Sequence, residues 1–402
     1  MAVGQNPFPD MLPVAGIRLG TVEAGFRYKD RDDLLIIELA EGTRTAGVFT
    51  QNAFCAAPVT VAKQHLAEQA PAYLLINSGN ANCGLGQQGL DVALQSCQML
   101  AEATGAQAEQ VLPFSTGVIA EPMDIACFQN ALPAACDDLH SEHWEKAAKA
   151  IMTTDTFAKG ASRQVTIGEQ HITITGIAKG SGMIHPDMAT MLAFVTTDAN
   201  IAQDDLQDCL KQAADKSFNC ITVDGDTSTN DACMLCASGQ AGEPLTGVDL
   251  EQFNAAVIEL MTDLALQIVR DGEGANRVMT VNVEAAVSEK EAKDVAFTVA
   301  HSPLVKTALF AADPNWGRIL AAVGRAPLTD LVLEQIQICL NDVSIVKDGA
   351  RDPHYTEEQG QQAMQQDEVI VHIALGRGEY SATVWSCDLS YDYVRINAEY
   401  RS

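Results

Sequence analysis

Basic residues are scarce in this sequence. Lysine and arginine number 25 against 53 aspartates and glutamates, a formal charge of -28 over 402 residues. Such a surface repels phosphate backbones and anionic headgroups, which argues against nucleic acid and membrane surfaces as partners. An anionic metabolite is compatible only with a pocket where a few basic groups and backbone N–H donors reverse the sign locally. Long apolar runs are missing too. The longest candidate, Phe253 to Val269, carries Glu259 and Asp263, so no membrane-spanning helix is expected. The opening Met-Ala-Val-Gly-Gln-Asn-Pro lacks a basic region leading into an apolar one, so no secretory signal is expected. There is no internal repeat, low-complexity tract or long linker. The eleven cysteines are an odd set lying mostly in apolar stretches such as Ala93-Leu-Gln-Ser-Cys97. They read as buried free thiols in a reducing compartment, hence a cytoplasmic protein.

Apolar residues at 47% and charged residues at 19% are what a globular chain with a buried core needs, and the length suits two domains. Strand and helix signals alternate. Ala72 to Asn77 reads as a buried strand closed by Ser78-Gly-Asn80, and Asp91 to Ala103 as a helix with Val92, Leu94, Cys97, Leu100 and Ala101 on one face. Val165, Ile167, Ile172 and Ile174 alternate with polar residues around Gly168-Glu-Gln170, the pattern of a hairpin. Leu206, Cys209, Leu210 and Ala213 mark a helix, and Phe253, Val257, Leu260, Leu264 and Ile268 a long one from about Leu250 to Val269. Beyond it the character turns to strand pairs, Leu331 to Leu340 and Glu368 to Leu375, the latter turning at Gly376-Arg-Gly378 into Glu379 to Cys387. This predicts a domain of residues 1–285 and a smaller one of 286–402.

The most unusual segment is Lys179-Gly-Ser-Gly-Met-Ile-His-Pro-Asp-Met-Ala-Thr-Met-Leu-Ala-Phe-Val195. It joins a glycine-rich loop bearing a lysine to Ala189-Thr190, which opens an apolar strand. A threonine hydroxyl attacks well only when a base takes its proton, and cleaving the chain before it lets its own α-amine do so. That amine titrates at about 7.7 to 8.0, so part of it is a neutral base near neutral pH. By residues alone, a glycine loop ahead of a core strand is the reading that the same letters favour.

Asp224, Asp226 and Asp231 offer oxygens at a spacing that suggests Ca²⁺ or Mg²⁺, but no glutamate stands at the twelfth loop position and Gly225 is misplaced for such a loop. They read as loop-capping carboxylates. Cys233 and Cys236 form a lone pair of thiols flanked by apolar residues, a core-packing pattern rather than a metal one. No metal is expected.

Taken together, the segment Lys179-Gly-Ser-Gly-Met-Ile184 with Met188-Ala-Thr-Met-Leu-Ala-Phe194 resembles the self-processing and nucleophile segment of the ornithine acetyltransferase family of arginine biosynthesis, the bifunctional glutamate N-acetyltransferases. Further stretches match in the same order: Ala46-Gly-Val-Phe-Thr-Gln-Asn52, Asn77-Ser-Gly-Asn-Ala-Asn82, Ser115-Thr-Gly-Val-Ile119, Met152-Thr-Thr-Asp-Thr156, Asp224-Gly-Asp-Thr-Ser-Thr-Asn-Asp231, Asp271-Gly-Glu-Gly-Ala275, Asp313-Pro-Asn-Trp-Gly-Arg318 and Cys387 through Ser402. The resemblance spans nearly the whole chain. Departures are small: Ala120, Asn276-Arg277, and Ser402 where threonine is the family habit.

The resemblance implies a mixed α/β fold, a layered sandwich of the amino-terminal-nucleophile type with a smaller C-terminal α+β domain. It implies scission between Ala189 and Thr190 into two chains that stay together, as a heterotetramer of two α and two β chains. Thr190 becomes the nucleophile, Thr116 and Gly117 the oxyanion donors, and Thr153 or Thr154, Lys179, Glu273, Asn397 and Ser402 the substrate lining. Lys179 suits a substrate carboxylate and Glu273 an ornithine-like amine. Without the resemblance, Ser-Thr-Gly is a turn and a lone lysine or glutamate is surface decoration. The implied reaction moves acetyl from N-acetylornithine to glutamate by a ping-pong route through acetyl-Thr190, with no cofactor. Acetyl-CoA as a second donor is left open by the sequence. An amino-terminal-threonine amidase or aminopeptidase, and a non-catalytic or metal-binding protein, are the competing classes.

Overall fold

The computed structural model describes residues 3–4, 7–185 and 191–399. The chain divides into two compact units, one of Pro7–Asn219 with Asp226–Ile268 and one of Met1–Asn6, Cys220–Gly225 and Val269–Ser402. The first unit runs β1 (Ile17–Val22), β2 (Leu34–Leu39), β3 (Arg44–Phe49), α1 (Ala57–Glu68), β4 (Tyr73–Asn80), α2 (Gln87–Thr104), β5 (Val111–Val118), α3 (Ala126–Asp137), α4 (Trp144–Ala150), β6 (Lys159–Ile167), β7 (Gln170–Lys179), β8 (Leu192–Thr197), α5 (Gln203–Lys216), β9 (Ala232–Ala237) and α6 (Gly247–Arg270).

Two sheets form it, of order β1-β2-β4-β5 and β3-β9-β8-β7-β6. The run Leu34-Leu-Ile-Ile37 shows why they stack. Successive strand residues point to opposite faces, so Leu35 and Ile37 join a core with Phe194 and Met234 of the second sheet, while Leu34 and Ile36 pack with Cys97, Leu100 and Phe128 from α2 and α3. Phe114 meets Phe194 edge-on across the sheets at 5.2 Å. On the outer face of the second sheet, Leu260 and Leu264 of α6 lie against Gly176. The result is a layered α/β sandwich, the mixed α/β class expected from the sequence. The helices read from periodicity at α2, α5 and α6 are present, as is the β6–β7 hairpin. Leu94, expected on the buried face of α2, is exposed, because it lies two positions from Val92 and so turns away from the face that Val92, Cys97, Leu100 and Ala101 bury.

The second unit holds β10 (Val278–Ala286), α7 (Glu289–Ala300), α8 (Pro303–Phe310), α9 (Trp316–Gly324), β11 (Gln337–Leu340), β12 (Val343–Lys347), β13 (Ala350–Arg351), α10 (Glu357–Met364), β14 (Glu368–Ala374), β15 (Tyr380–Cys387) and α11 (Tyr391–Ala398). Its sheet order is β13-β12-β11-β14-β10-β15. Three sequence expectations change here. The boundary placed at 285 falls inside β10, and the units divide at Ile268 instead, because β10 pairs with β14 and β15 and so belongs to their sheet. The strands 368–375 and 379–387 are not partners: β10 lies between them, parallel to one and antiparallel to the other. The strand expected from Leu331 begins at Gln337, after a 3₁₀ turn at Leu333–Gln335 that leaves Leu333 exposed.

Candidate active site

β4 and β5 run parallel, pairing Asn77 with Ser115, Ser78 with Thr116 and Gly79 with Gly117. β5 is the edge strand of its sheet. At the ends of the two strands the backbone leaves the ladder. Gly117 has φ +136 and Gly79 φ +99, a region that favours glycine. Thr116–Gly117 is therefore not a simple turn but a shaped strand end, tied by a buried amide network. The Ser115 hydroxyl donates to Asn77 Oδ1 at 2.6 Å, and Asn230 Nδ2 donates to the Ala81 and Ser115 carbonyls at 2.6 and 2.9 Å.

Lys179 ends β7, nearly buried, and its ammonium donates to Thr116 Oγ1 at 3.4 Å. Behind it sits Asp155. That carboxylate accepts from Lys159 Nζ at 2.7 Å, Gly180 N at 2.7 Å and Thr153 N at 3.0 Å. Burial opposes its ionisation, yet Lys159 and Lys179 outweigh burial and hold the carboxyl well below the usual carboxylate range. Asp155 thus fixes the glycine loop after Lys179 and the backbone of Thr153 at once. Thr154 Oγ1 bonds Ser181 Oγ at 2.7 Å. The Thr153 hydroxyl makes no hydrogen bond among the described residues, which distinguishes two positions the sequence left equivalent.

Thr116, Gly117, Lys179, Thr153 and Thr154 are thus brought together by one unit. In the other, Asn397 Nδ2 donates to Glu273 Oε2 at 2.7 Å. Ser390 caps α11 through Asp392 N at 3.1 Å and donates to the Gly274 carbonyl at 2.7 Å, docking the tail helix on the turn that carries Glu273. Ala189, Thr190 and Ser402 lie outside the described residues.

Sequence reasoning missed the part played by Asp155, although it stands inside a quoted motif; its signal was Lys159, a lysine in the small-residue run Ala158-Lys-Gly-Ala161. It did not foresee the burial of Asp231, which takes hydrogen bonds from the Ser228 hydroxyl and backbone N–H as a loop-capping carboxylate does, yet is 3% exposed, just ahead of β9, with Oδ2 unpaired among the described residues. Burial pushes its carboxyl well above the usual range, opposed by the Ser228 hydroxyl, the Lys179 charge and the Met191 N–H. Cys233 and Cys236 are buried in β9, three apart and so on opposite faces, a geometry that packs a core and cannot chelate one ion.

A family model described as the ArgJ family matches residues 18–402. The arginine biosynthesis bifunctional protein ArgJ of Methylococcus capsulatus is 56% identical over 395 residues, 98% of this chain and 97% of its own. The chain belongs to the ArgJ family. The ArgJ protein of Pseudomonas fluorescens is 53% identical, with both chains covered in full. Among solved structures, the ArgJ protein of Bacillus halodurans is 43% identical with a TM-score of 0.51, over 52% of this chain and 100% of that one. Membership makes the chain an enzyme of the ArgJ family, as the resemblance implied.

Proposed function

We propose that this ArgJ-family enzyme moves acetyl from N-acetylornithine to glutamate after cutting itself between Ala189 and Thr190. The observation that carries the reading is the end of β5, where Gly117 and the Thr116 hydroxyl stand beside the Lys179 ammonium. Acyl transfer needs donors fixed where a tetrahedral oxyanion forms, and this strand end is held by packing on Gly79 and by buried amides. Thr190 Oγ attacks the acetyl carbonyl, its proton passes by way of the α-amine to the departing nitrogen, and ornithine leaves. The glutamate amine then attacks the ester and restores the hydroxyl. Both half-reactions exchange an acyl group between nucleophiles, so no cofactor enters; acetyl-CoA as a second donor would load the same ester. Thr153, whose hydroxyl makes no hydrogen bond among the described residues, is the threonine we assign to substrate, and Lys179, Glu273, Asn397 and Ser402 are assigned to substrate with it.

The lengths support scission. A cut before Thr190 leaves pieces of 189 and 213 residues, and the solved Bacillus halodurans chain is matched end to end by 52% of this one. The two pieces staying together, in a heterotetramer and in the cytoplasm, belongs to the same proposal; among the described residues no helix is long and apolar enough to cross a membrane.

Denaturing electrophoresis with amino-terminal sequencing tests it. Two bands are expected, the second beginning Thr190-Met191-Leu192, and Thr190→Ala should run as one inactive chain of 42.9 kDa. An intact wild-type chain would sink the reading. Product analysis with and without glutamate separates transfer from hydrolysis.

A further inference from the structure

Three of the 25 basic residues, Arg27, Lys29 and Arg31, fall within five positions of the loop between β1 and β2. The loop is anchored. The buried carboxylate of Asp33 accepts from the N–H groups of Ala24, Gly25 and Phe26 at 2.6, 3.2 and 2.8 Å, and the Asp33 carbonyl takes the Ser78 N–H at 2.9 Å. This bends the loop over the end of β4. A Cβ on Gly79 would lie 2.8 Å from Arg27 Cβ and 3.3 Å from the Tyr28 ring. At the loop's other end, Arg31 donates to the Met152 carbonyl, one residue before Thr153, and its guanidinium stands 4.0 Å over the Tyr28 ring. The loop therefore spans from the Gly79–Gly117 contact to the threonine pair.

The arginines differ in charge balance. Arg27 is met by Glu121 at 3.2 Å. Arg31 has no carboxylate partner among the described residues; the ring and one carbonyl fix its plane and leave most of its fork unoccupied. A half-buried guanidinium pre-oriented in this way, in a chain of charge -28, is built to take a carboxylate in two-point contact. Glutamate carries one carboxylate more than N-acetylornithine, and Lys179 answers to the shared one.

We propose that Arg31 recognises the second carboxylate of the acceptor and so determines specificity for glutamate, an assignment that rests on the function proposed above. Steady-state kinetics of the full chain with Arg31→Gln and Arg31→Lys test it, with glutamine as the uncharged comparison acceptor. Arg31→Gln should raise the glutamate KM about 10- to 100-fold, the loss of a charged hydrogen-bonded partner. It should also narrow the preference for glutamate over glutamine, with a far smaller effect on ornithine release from N-acetylornithine. Arg31→Lys keeps the charge, loses the fork and should fall between, and it decides the matter if the glutamine variant does not fold. Equal damage to both half-reactions would reduce Arg31 to a prop for Met152 and overturn the assignment, as would an unchanged glutamate KM. A wild-type enzyme that makes no N-acetylglutamate would overturn the function itself, and this assignment with it.

Discussion

Gly117 is packed so tightly on Gly79 that a Cβ built on it would lie 2.2 Å from the Gly79 carbonyl carbon and 2.5 Å from the Asn80 nitrogen. The obstacle is backbone, which cannot rotate aside. Gly117→Ala should therefore cost about 1 to 3 kcal/mol of backbone strain and displace the strand end, lowering both melting temperature and turnover. Unchanged turnover would mean that the Gly117 backbone is not at the reacting carbonyl.

Thr116→Ala should fold normally, because its hydroxyl is only loosely engaged by Lys179 at 3.4 Å. Its turnover should drop roughly 10²- to 10³-fold, the usual loss for one oxyanion donor. A near-normal rate would assign the hydroxyl elsewhere.

Asp155 and Lys159 form a pair with both side chains fully buried. Asp155→Asn leaves two ammonium groups facing a neutral amide and should cost about 3 to 5 kcal/mol. Because the folded carboxyl titrates lower than the unfolded one, its contribution is present above about pH 4, the unfolded value, and is lost as pH falls below it. Denaturant titrations from pH 7 to pH 2 should show a shallower acid decline in the variant. An identical decline would count against the pairing.

Asp231 has the opposite sign. Its folded carboxyl titrates high, so the folded state holds that proton more tightly, and stability from this group falls as pH rises from about 4 through the folded value. Asp231→Asn, neutral throughout, should gain on the wild type over that rise. A constant difference between the two curves would show that burial does not govern this carboxyl.

Without glutamate, N-acetylornithine should release about one ornithine per active site rapidly and then slowly, and double-reciprocal plots should be parallel, as a covalent relay requires. Glu273→Gln, which removes the charge held by Asn397 at 2.7 Å, should damage the donor half more than the acceptor half; Lys179→Ala should damage both. Intersecting lines would exclude the acyl-enzyme.

Local pattern was enough for part of this molecule. Helices α2, α5 and α6 and the β6–β7 hairpin follow from apolar spacings of three to four or of two, since each element must present one face to a core. The residues of the site were legible as a set of motifs, and Thr116, Gly117, Lys179, Thr153 and Thr154 meet in one unit. Composition also showed that an anionic substrate would need a place where the acidic surface changes sign.

What the letters left undecided depends on contacts between distant segments. Nothing local inserts β10 between β14 and β15, because strand pairing is settled by which apolar faces close one core. Asp231 and Asp226 read alike in sequence, yet one carboxyl is buried beside Met191 and Lys179 while the other side chain is exposed, and only the fold separates them. Thr153 and Thr154 are equivalent as letters until Ser181 takes one hydroxyl. Arg31 is one basic residue among 25 until the fold sets it over Tyr28 and against Met152, with no carboxylate partner among the described residues. Charge and periodicity are properties of the chain; the electrostatic environment of any one group belongs to the fold, because Coulomb interactions and desolvation act over ångströms in space rather than over positions in sequence.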